Sequence, residues 1–360
     1  MLLADFVLSE YTQLANKGQY KAQAPSNIAL VKYWGKKEEQ IPCNPSVSFT
    51  LKNAVTETKL SFEKKEKAKK FDIEVYFQNK RQESFEPKIV SFFERICNYV
   101  GFLSGYKFII QTKNTFPHSS GIASSASAMA SIAMCIMEME RSISPEMTED
   151  YYLKKASFLA RLGSGSACRS ITDEVVLWGK TPGFIESSNY YGIGFSSFHS
   201  VFKDYQDAIL LVDKEKKAIS SSQGHQLMHH HPYANQRFYE ATENAARMLS
   251  ILKEGNLDDF IKYTEKEALS LHAMMMTSSP YFILMQPNTL KIIEQVWEFR
   301  KNTAIPLCFT LDAGANVHLL YPKEFRLQCK EFIEEQLAQY CQNRQVLYDE
   351  MGAGANVITQ

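Results

Sequence analysis

Apolar and polar positions alternate along several short stretches in the first third of the chain. This alternation at 44–51, 55–62 and 71–77 predicts three strands, because successive side chains of a strand point to opposite faces of the sheet. A further apolar run at 108–112 is also typical of a strand. The segment 63–70 is a run of Lys and Glu between two of these strands, which is typical of a solvated hairpin tip. The first third of the chain is therefore predicted to form mainly a sheet.

Helical periodicity dominates the rest of the chain, and two apolar runs that predict strands, 207–212 and 309–311, interrupt it. Apolar residues recur at helical spacing in the segments 86–100, 128–139, 149–162, 232–253, 256–272, 288–301 and 323–341. Strands thus come first and helices follow. This order indicates an α+β fold rather than a strict alternation of strand and helix.

The length of 360 residues is sufficient for two domains. Near residue 200 the pattern changes, because an apolar strand is followed by a series of long helices. We place the boundary there. The prediction is an N-terminal domain at 1–200 and a C-terminal domain at 201–360.

The composition narrows the classes of function. The chain is 45% hydrophobic and its formal net charge is zero, so no overall field attracts nucleic acid or an anionic membrane. No apolar run is long enough to span a bilayer, and residues 1–21 lack the apolar core of a signal peptide. The seven cysteines include no C-x-x-C pair, which favours reduced thiols over disulfides or a zinc site. We expect a cytoplasmic protein without nucleic-acid or membrane partners.

The stretch 117–127, Pro-His-Ser-Ser-Gly-Ile-Ala-Ser-Ser-Ala-Ser, lies between a predicted strand and a predicted buried helix. Small side chains let the backbone approach an anion, and the first amides of a helix point outward at the positive end of the helix dipole. The serine hydroxyls add donors and oxygen ligands for magnesium. The lysine of the Walker motif is missing. The stretch predicts another type of phosphate cradle, although a Ser/Ala-rich helix start without a ligand has the same pattern.

Three further segments carry charged residues in contexts that suit anions or proton transfer. Lys32 and Lys36 flank an aromatic pair after an apolar run, where they either line an anionic site or are solvated. The Gly/Ser segment 163–170 contains Arg169, whose planar fork suits a carboxylate or phosphate. Asp312 ends an apolar strand, where an unpaired carboxylate is costly to bury. It is therefore either a turn-capping residue or a base.

Three adjacent histidines occupy 229–231 and suggest a metal at first sight. Adjacent residues of a helix or strand cannot all face one ion, and no carboxylate pattern accompanies them. We expect no metal site there.

Five of these segments occur together in the order of one known family. The five signatures are A-P-x-N-I-A-x-x-K-Y-W-G-K at 24–36, N-x-S-x-S-x-T-L at 44–51, P-x-x-x-G-x-A-S-S-A at 117–126, G-S-G-S-A-C-R-S at 163–170 and D-A-G-x-N at 312–316. They resemble the diphosphomevalonate decarboxylases, a branch of the GHMP kinase superfamily. Weaker matches are L-H-A at 271–273 and K-x-x-S-S at 217–221, and the resemblance spans residues 22–322. The first and fourth signatures are specific to the decarboxylase branch.

The resemblance implies a two-domain α+β fold of the GHMP kinase type. It comprises a ribosomal-protein-S5-like N-terminal domain and a ferredoxin-like C-terminal domain, with the active-site cleft between them. It also implies an enzyme of the mevalonate pathway that uses ATP and Mg²⁺ to decarboxylate mevalonate 5-diphosphate. The 3-hydroxyl is phosphorylated, phosphate leaves, and the C1 carboxylate departs as carbon dioxide to give isopentenyl diphosphate. Relatives are commonly homodimers, so we expect a homodimer.

The resemblance further implies the roles of individual residues. Asp312 would accept the proton of the 3-hydroxyl or orient its oxygen, and Lys32 would keep Asp312 ionised. Arg169 would hold the substrate carboxylate in a bidentate pair. The predicted substrate-binding set is Asn27, Tyr33, Lys36, Ser164, Ser166, Arg169, Ser221 and Ser222. The predicted ATP-binding set is Pro117, Ser119, Ser120, Gly121, Ile122, Ala123, Ser124, Ser125, Ala126 and Ser127.

The chain departs from the family pattern at several positions. Ala315 stands where the family usually has proline. The serine pair at 221–222 is not followed by the arginine of many bacterial members, and the usual Gly-Met is Gly-His at 224–225. The resemblance implies that these positions lie near the phosphate end of the substrate, so a monophosphate substrate stays open, with His225 or His229 as the replacement donor. The activity of a small-molecule kinase of the superfamily also stays open, as does the function of a non-catalytic ligand-sensing protein.

Overall fold

Two sheets with helices packed against them make up the protein. The computed structural model describes residues 3–7, 14–65, 71–117, 122, 124–213 and 221–358. Within these residues the chain forms a large mixed sheet and a smaller antiparallel sheet, each covered by helices. The predicted α+β fold class is confirmed.

The first sheet contains β1 (Lys17–Val31), β2 (Ser46–Lys64), β3 (Asp72–Phe77), β4 (Lys80–Arg81), β5 (Tyr106–Asn114), β6 (Val175–Trp178), β7 (Ile193–Gly194) and β12 (Asn356–Val357). Its main path runs β12-β1-β2-β5-β3-β4, while β6 pairs with the beginning of β2 and β7 pairs with β6. The β3–β5 pair is parallel, and the other pairs are antiparallel.

Two predictions about this sheet are wrong. The strands expected at 44–51 and 55–62 are one continuous strand, β2, whose beginning pairs with β6 and whose later part pairs with β5. The charged run at 63–70 is not a hairpin tip, because β5 lies between β2 and β3. It connects two strands that are not neighbours, and its residues 66–70 lie outside the described part of the chain.

Helices α1 (Glu86–Ile96), α2 (Ser124–Arg141) and α3 (Glu149–Gly163) cover the first sheet. Helix α2 packs directly on β1 and β2, and α3 packs on α2. Most side chains of α2 are buried because the sheet covers one side of the helix and α3 covers another. Strand β5 ends before the 117–127 stretch and α2 begins within it, so the predicted strand–loop–helix order is confirmed.

The second sheet contains β8 (Gln206–Leu210), β9 (Cys308–Leu311), β10 (Val317–Tyr321) and β11 (Val346–Glu350) in the antiparallel order β11-β8-β10-β9. The helices of this half are α4 (Ser221–Leu227), α5 (Ala234–Glu254), α6 (Leu257–Met276), α7 (Pro287–Thr303) and α8 (Arg326–Phe332). Further helical turns follow α8 as far as Tyr340. In the described part of the chain, no helix combines the length and apolar character needed to cross a membrane.

One apolar cluster is shared by the two halves of the chain. It joins side chains of β1 and β2 to side chains of β8, α5 and α6, among them Ile28, Phe49, Ile209, Leu249 and Phe260. Helix α6 packs on both β1 and β9. The ends of these two strands are therefore held close together by burial of a common apolar surface.

The end of the chain returns to the first sheet. Strand β12 pairs with β1, with Ala22 opposite Val357. Just before it, the Ala355 amide donates to the carbonyls of Ser170 and Ile171. The division at residue 200 into two domains stays a prediction.

A buried ion pair joins α2 and α3, and its contribution to stability can be measured. Lys155 and Glu140 are both fully buried and bonded to each other, and Lys155 Nζ also donates to Tyr99 O at 3.0 Å. We predict that Lys155→Met lowers the free energy of unfolding by about 3–5 kcal/mol at pH 7, because it leaves the Glu140 carboxylate buried without its cation. Urea denaturation measures the change.

The control is the double variant Glu140→Gln/Lys155→Met, which removes both charges. It should regain a substantial part of the lost stability, because no uncompensated charge remains buried. Equal losses in the single and double variants would contradict the electrostatic explanation.

Candidate active site

Lys32 and Asp312 meet where the two halves of the chain come together. Lys32 is the first residue after β1 and Asp312 the first after β9, and Lys32 Nζ lies 3.1 Å from Asp312 Oδ1. The lysine side chain is 2% exposed, whereas the aspartate side chain is 30% exposed. Burial lowers the pKa of Lys32, and the neighbouring Asp312 carboxylate opposes this effect. Of the three residues predicted to be catalytic, which are Asp312, Lys32 and Arg169, the first two are thus in contact, and solvent reaches the carboxylate.

Arg169 lies in the buried turn that follows α3, where neutral groups hold its guanidinium. Nη1 donates to Ser46 Oγ at 2.7 Å and Nε to Ser48 Oγ at 3.1 Å, while Nε and Nη2 share Asn27 Oδ1 at 3.3 and 3.2 Å. Within the described part of the chain, its hydrogen bonds go only to these neutral oxygens. Burial lowers the pKa of Arg169, but an arginine stays protonated. A buried cation held by neutral groups favours binding of an anion.

Tyr33 places a buried hydroxyl against the turn that carries Arg169. A Cβ added to Gly165 would lie 2.7 Å from the Tyr33 hydroxyl oxygen, so only glycine fits there. The Tyr33 ring packs on Trp178, with 4.7 Å between ring centroids. Burial raises the pKa of Tyr33, so its hydroxyl keeps its proton. No described residue forms a hydrogen bond with that hydroxyl. A buried hydroxyl without a described partner is unusual in a folded protein, and it makes Tyr33 a candidate donor to a ligand.

Asn27 connects β1 to the same turn. Its Oδ1 accepts from Arg169, and its Nδ2 donates to Ser170 Oγ at 2.8 Å and to Ser166 O at 3.3 Å. Ser164 is the C-cap of α3, and Ser164 and Ser166 are both half-buried. The structure therefore brings together most of the predicted substrate-binding set, whose roles stay predictions.

Helix α4 places His225 against the K-Y-W-G-K signature. Gly35 N donates to His225 Nδ1 at 2.9 Å, and the His225 ring lies 4.3 Å from the Tyr33 ring and 4.7 Å from the Trp34 ring. The pKa of His225 is lowered to about 3, mainly because the ring is buried and to a smaller extent because Lys36 is charged. Because Nδ1 accepts a hydrogen bond, the proton of the neutral ring is on Nε2. His225 brings a neutral donor, not a positive charge, to this part of the site.

The serine pair at 221–222 and His229 are the other residues predicted near the phosphate end. The serine pair at 221–222 begins α4, directly after residues 214–220, which lie outside the described chain. His229 and His230 are exposed, whereas His231 is buried and its Nε2 lies 3.0 Å from Met274 O. The three histidines therefore do not converge. Among the residues that the structure describes, no group of His, Cys, Asp and Glu side chains is arranged to hold a metal.

Five of the eleven residues of the predicted phosphate cradle, 118–121 and 123, lie outside the described chain. Pro117 precedes this part and is half-buried. Ile122 is buried, and its carbonyl accepts from Ser26 Oγ at 2.6 Å. This bond ties the loop to β1, close to the residues that hold Arg169.

The first turn of α2 uses its serines in two different ways. Ser127 is buried, and its Oγ lies 2.6 Å from Thr56 Oγ1, so its hydroxyl serves the helix–sheet contact. Ser125 Oγ instead accepts from Lys88 Nζ at 2.6 Å. The sequence pattern did not predict Lys88 as a site residue, because a lysine on an amphipathic helix is normally solvated. Only the position of α1 beside α2 shows that this cation reaches the predicted cradle.

The sequence also did not predict that α6 contacts the Lys32–Asp312 pair. Glu267 Oε2 accepts from Lys32 N at 2.9 Å, and His272 Nε2 lies 3.1 Å from Asp312 O. His272 belongs to the weak L-H-A match, whereas nothing in the sequence distinguishes Glu267 from other helical glutamates. Both contacts join segments that are far apart in the chain.

Comparison with known proteins gives the same family for both halves. The family model described as diphosphomevalonate decarboxylase-like N-terminal domain matches residues 24–189, and that of the mevalonate 5-diphosphate decarboxylase C-terminal domain matches residues 208–356. The diphosphomevalonate decarboxylase of Debaryomyces hansenii is 29% identical over 326 residues, which cover 84% of this chain and 79% of the relative.

Two further comparisons bear on fold and substrate. The crystal structure of mevalonate diphosphate decarboxylase from Staphylococcus aureus is 27% identical and superposes with a TM-score of 0.81, covering 95% of this chain and 98% of the other. A phosphomevalonate decarboxylase of Haloferax volcanii is 25% identical over 307 residues, or 83% of this chain and 86% of the relative.

The buried His225 predicts a specific dependence of stability on pH. Because its pKa falls from an ordinary 6.5 to about 3 on folding, the unfolded chain binds the extra proton between these values. This residue should therefore reduce stability as pH falls below 6.5, by up to about 1.4 kcal/mol per pH unit. Between pH 7 and about pH 4.5, the free energy of unfolding of His225→Gln should fall less steeply than that of wild type. Urea denaturation at several pH values measures both slopes.

His229→Gln, at an exposed position, controls for the loss of one histidine. Equal slopes for wild type and His225→Gln would show that burial of this ring has no effect on acid stability.

Proposed function

Because the chain belongs to the diphosphomevalonate decarboxylase family, we propose that it converts mevalonate 5-diphosphate and ATP to isopentenyl diphosphate, ADP, phosphate and carbon dioxide. The observation that carries this proposal is the Lys32–Asp312 contact beside a buried Arg169 whose described hydrogen bonds all go to neutral oxygens. A carboxylate, an ammonium and a guanidinium are the groups that the reaction requires around one branched carbon.

Asp312 acts on the 3-hydroxyl of the substrate. Its carboxylate is the accessible member of the pair, so it is the group that meets the hydroxyl and accepts its proton as the oxygen attacks the γ-phosphorus of ATP. Lys32 stays beside the carboxylate and offsets its negative charge. In the next step the 3-phosphate leaves with its bonding electrons, and Asp312 stabilises the positive charge that develops at C3.

Arg169 acts on the carboxylate at C1. Its buried guanidinium keeps that group ionised and in one orientation. When phosphate leaves C3, the C1–C2 bond breaks, its electron pair forms the C2–C3 double bond, and carbon dioxide departs. The charge of Arg169 thus positions the carboxylate for loss without protonating it.

ATP binds at the stretch before α2. Phosphoryl transfer depends mainly on positioning and on neutralisation of phosphate charge. Lys88 beside Ser125 and the amino-terminal end of α2 supply positive potential there. Oxygen donors such as the serine hydroxyls of this turn suit Mg²⁺, which would neutralise the phosphates of the nucleotide.

Mevalonate monophosphate is the second candidate substrate. The arginine that many bacterial members carry after the serine pair is absent, and the neutral ring of His225 does not replace its charge. The similarity to the Haloferax relative, named a phosphomevalonate decarboxylase, supports this second candidate.

A panel of mevalonate, its 3-phosphate, its 5-phosphate and its 5-diphosphate, each with ATP and Mg²⁺, separates the candidates. A phosphorylated product that keeps its carboxylate would instead identify a kinase, and binding without turnover would identify a ligand-sensing protein.

The homodimer and the cytoplasmic location that the resemblance implies stay predictions. Sedimentation of the purified protein tests the first of them.

Asp312→Asn tests the role of the carboxylate. The amide cannot accept the hydroxyl proton, so turnover should fall by at least about two orders of magnitude, the scale of a lost general base. ATP affinity should be largely unchanged, because Asp312 acts on the hydroxyl of the substrate and does not belong to the predicted ATP-binding stretch at 117–127. Release of carbon dioxide and ADP measures turnover, and near-normal turnover would refute the assignment.

Arg169→Lys tests the role of the guanidinium. A lysine keeps the charge but lacks the planar fork that bonds to Ser46 and Ser48, and its ammonium cannot form a bidentate pair with the substrate carboxylate. We expect kcat/KM for the diphosphate substrate to fall by about 100-fold, the cost of a charge-assisted hydrogen bond or two. Steady-state kinetics measure it, with Arg95→Lys as a control arginine that donates to a backbone carbonyl of α3. Similar losses in both variants would argue against a direct role for Arg169.

A further inference from the structure

The two residues of the central pair occupy equivalent positions in their strands. Lys32 is the first residue beyond β1, and Asp312 is the first residue beyond β9. At such positions the backbone leaves the ladder of the sheet, and its N–H and C=O groups need new partners. Whatever binds these backbone groups also fixes where the two side chains start.

Helix α6 provides a partner for both backbones. Glu267 accepts the N–H of Lys32 at 2.9 Å, and His272 Nε2 donates to the carbonyl of Asp312 at 3.1 Å. Both side chains are buried. Five positions separate them, which on a helix corresponds to about 7.5 Å along the axis and about 140° around it. One rigid helix therefore reaches the end of β1 from one side and the end of β9 from another.

The Glu267 side chain is itself held firmly. Arg237 forms a two-pronged ion pair with its carboxylate, and Asn244 Nδ2 donates to Glu267 Oε1 at 2.6 Å. Burial by itself would raise the pKa of Glu267, but Arg237 and these hydrogen bonds outweigh it and lower the pKa. The group that binds the Lys32 backbone is thus an ionised, immobile carboxylate.

The carbonyl of Asp312 accepts two hydrogen bonds of different kinds. Gly314 N donates to it at 2.7 Å, which shapes the turn after β9. The bond from His272 joins that turn to α6. Without His272 the turn keeps the Gly314 bond and the apolar cluster that contains Ala313 and Leu271 of α6, but it loses the hydrogen bond that fixes the Asp312 carbonyl on that helix.

We propose that α6 sets the spacing between Lys32 and Asp312, with Glu267 and His272 as positioning residues. Neither residue contacts the substrate in this proposal. The proposal rests on the proposed function, because that function gives the Lys32–Asp312 pair its role in the reaction.

The titration of Lys32 reports the spacing. Burial and Arg169 favour the neutral amine, whereas Asp312 and Glu267 favour the ammonium. The attraction to Asp312 depends on the 3.1 Å separation. If the turn carrying Asp312 moves away, the ammonium loses its closest anion, and the pKa of Lys32 falls further.

The test uses His272→Leu and His272→Gln. Leucine removes the donor, whereas the glutamine amide can reach the Asp312 carbonyl. For His272→Leu we expect kcat to fall by about 10-fold or more, and the alkaline limb of the kcat profile to move down by about one pH unit, the scale of a lost opposite charge. His272→Gln should keep the limb near its wild-type pH. If His272→Leu does not fold, His272→Asn replaces it, because its amide is too short for the carbonyl.

Glu265→Gln is the matched control. Glu265 lies on the same helix but pairs with Arg300 and Trp297, away from Lys32 and Asp312. This variant should lose stability without moving the alkaline limb. A limb that is unchanged in His272→Leu, or that moves equally in Glu265→Gln, overturns the proposal.

A second measurement separates this proposal from the proposed function. NMR of protein labelled at lysine Cε follows the titration of Lys32 directly in wild type and in the His272 variants. If wild type does not turn over any member of the substrate panel, the proposed function fails, but a lower Lys32 pKa in His272→Leu still supports the positioning role. An unchanged pKa refutes that role whatever the enzyme catalyses.

Discussion

The contact between Lys32 and Asp312 is the interaction on which the rest of the site depends. It joins a cation that is almost fully buried to a carboxylate that solvent can reach, and the two come from opposite halves of the chain. Such a pair is favourable only at short distance, because the desolvation of the lysine must be offset by a close anion. The fold must therefore hold the ends of β1 and β9 together, and several separate features of the molecule do so.

The first of these features is the apolar cluster shared by the halves, which includes Ile28 of β1 and Ile209 of β8. Separating the halves would expose this surface to water. The second is α6, which packs on both β1 and β9 and bonds to the backbone of both residues of the pair. The third is β12, which brings the end of the chain back to β1. In the described part of the chain the two halves thus form one continuous structure rather than two loosely connected units.

The electrostatics of the site follow from the groups that surround its cations. Arg169 is hydrogen-bonded to neutral oxygens, so an incoming carboxylate meets a guanidinium that no carboxylate of the described chain contacts. Tyr33 offers a buried hydroxyl without a described partner nearby. At the other end His225 is neutral, because its burial disfavours the charged ring. Near that histidine the positive charge comes mainly from Lys36, so the neutral ring supplies a hydrogen-bond donor there rather than a second cation.

The fold class and the family could be predicted from the sequence alone, as could a candidate site, because motifs such as K-Y-W-G-K and G-S-G-S-A-C-R-S are contiguous and reflect the chemistry of local segments. It also located most helices, since helical periodicity is a local property. It did not predict that 46–64 form one strand, nor that β5 separates β2 from β3, because strand pairing joins distant segments. The contacts of Lys88, Glu267 and His272 were not predicted for the same reason. Their roles arise from the partners that tertiary packing brings to them, and nothing in their neighbouring residues encodes those partners.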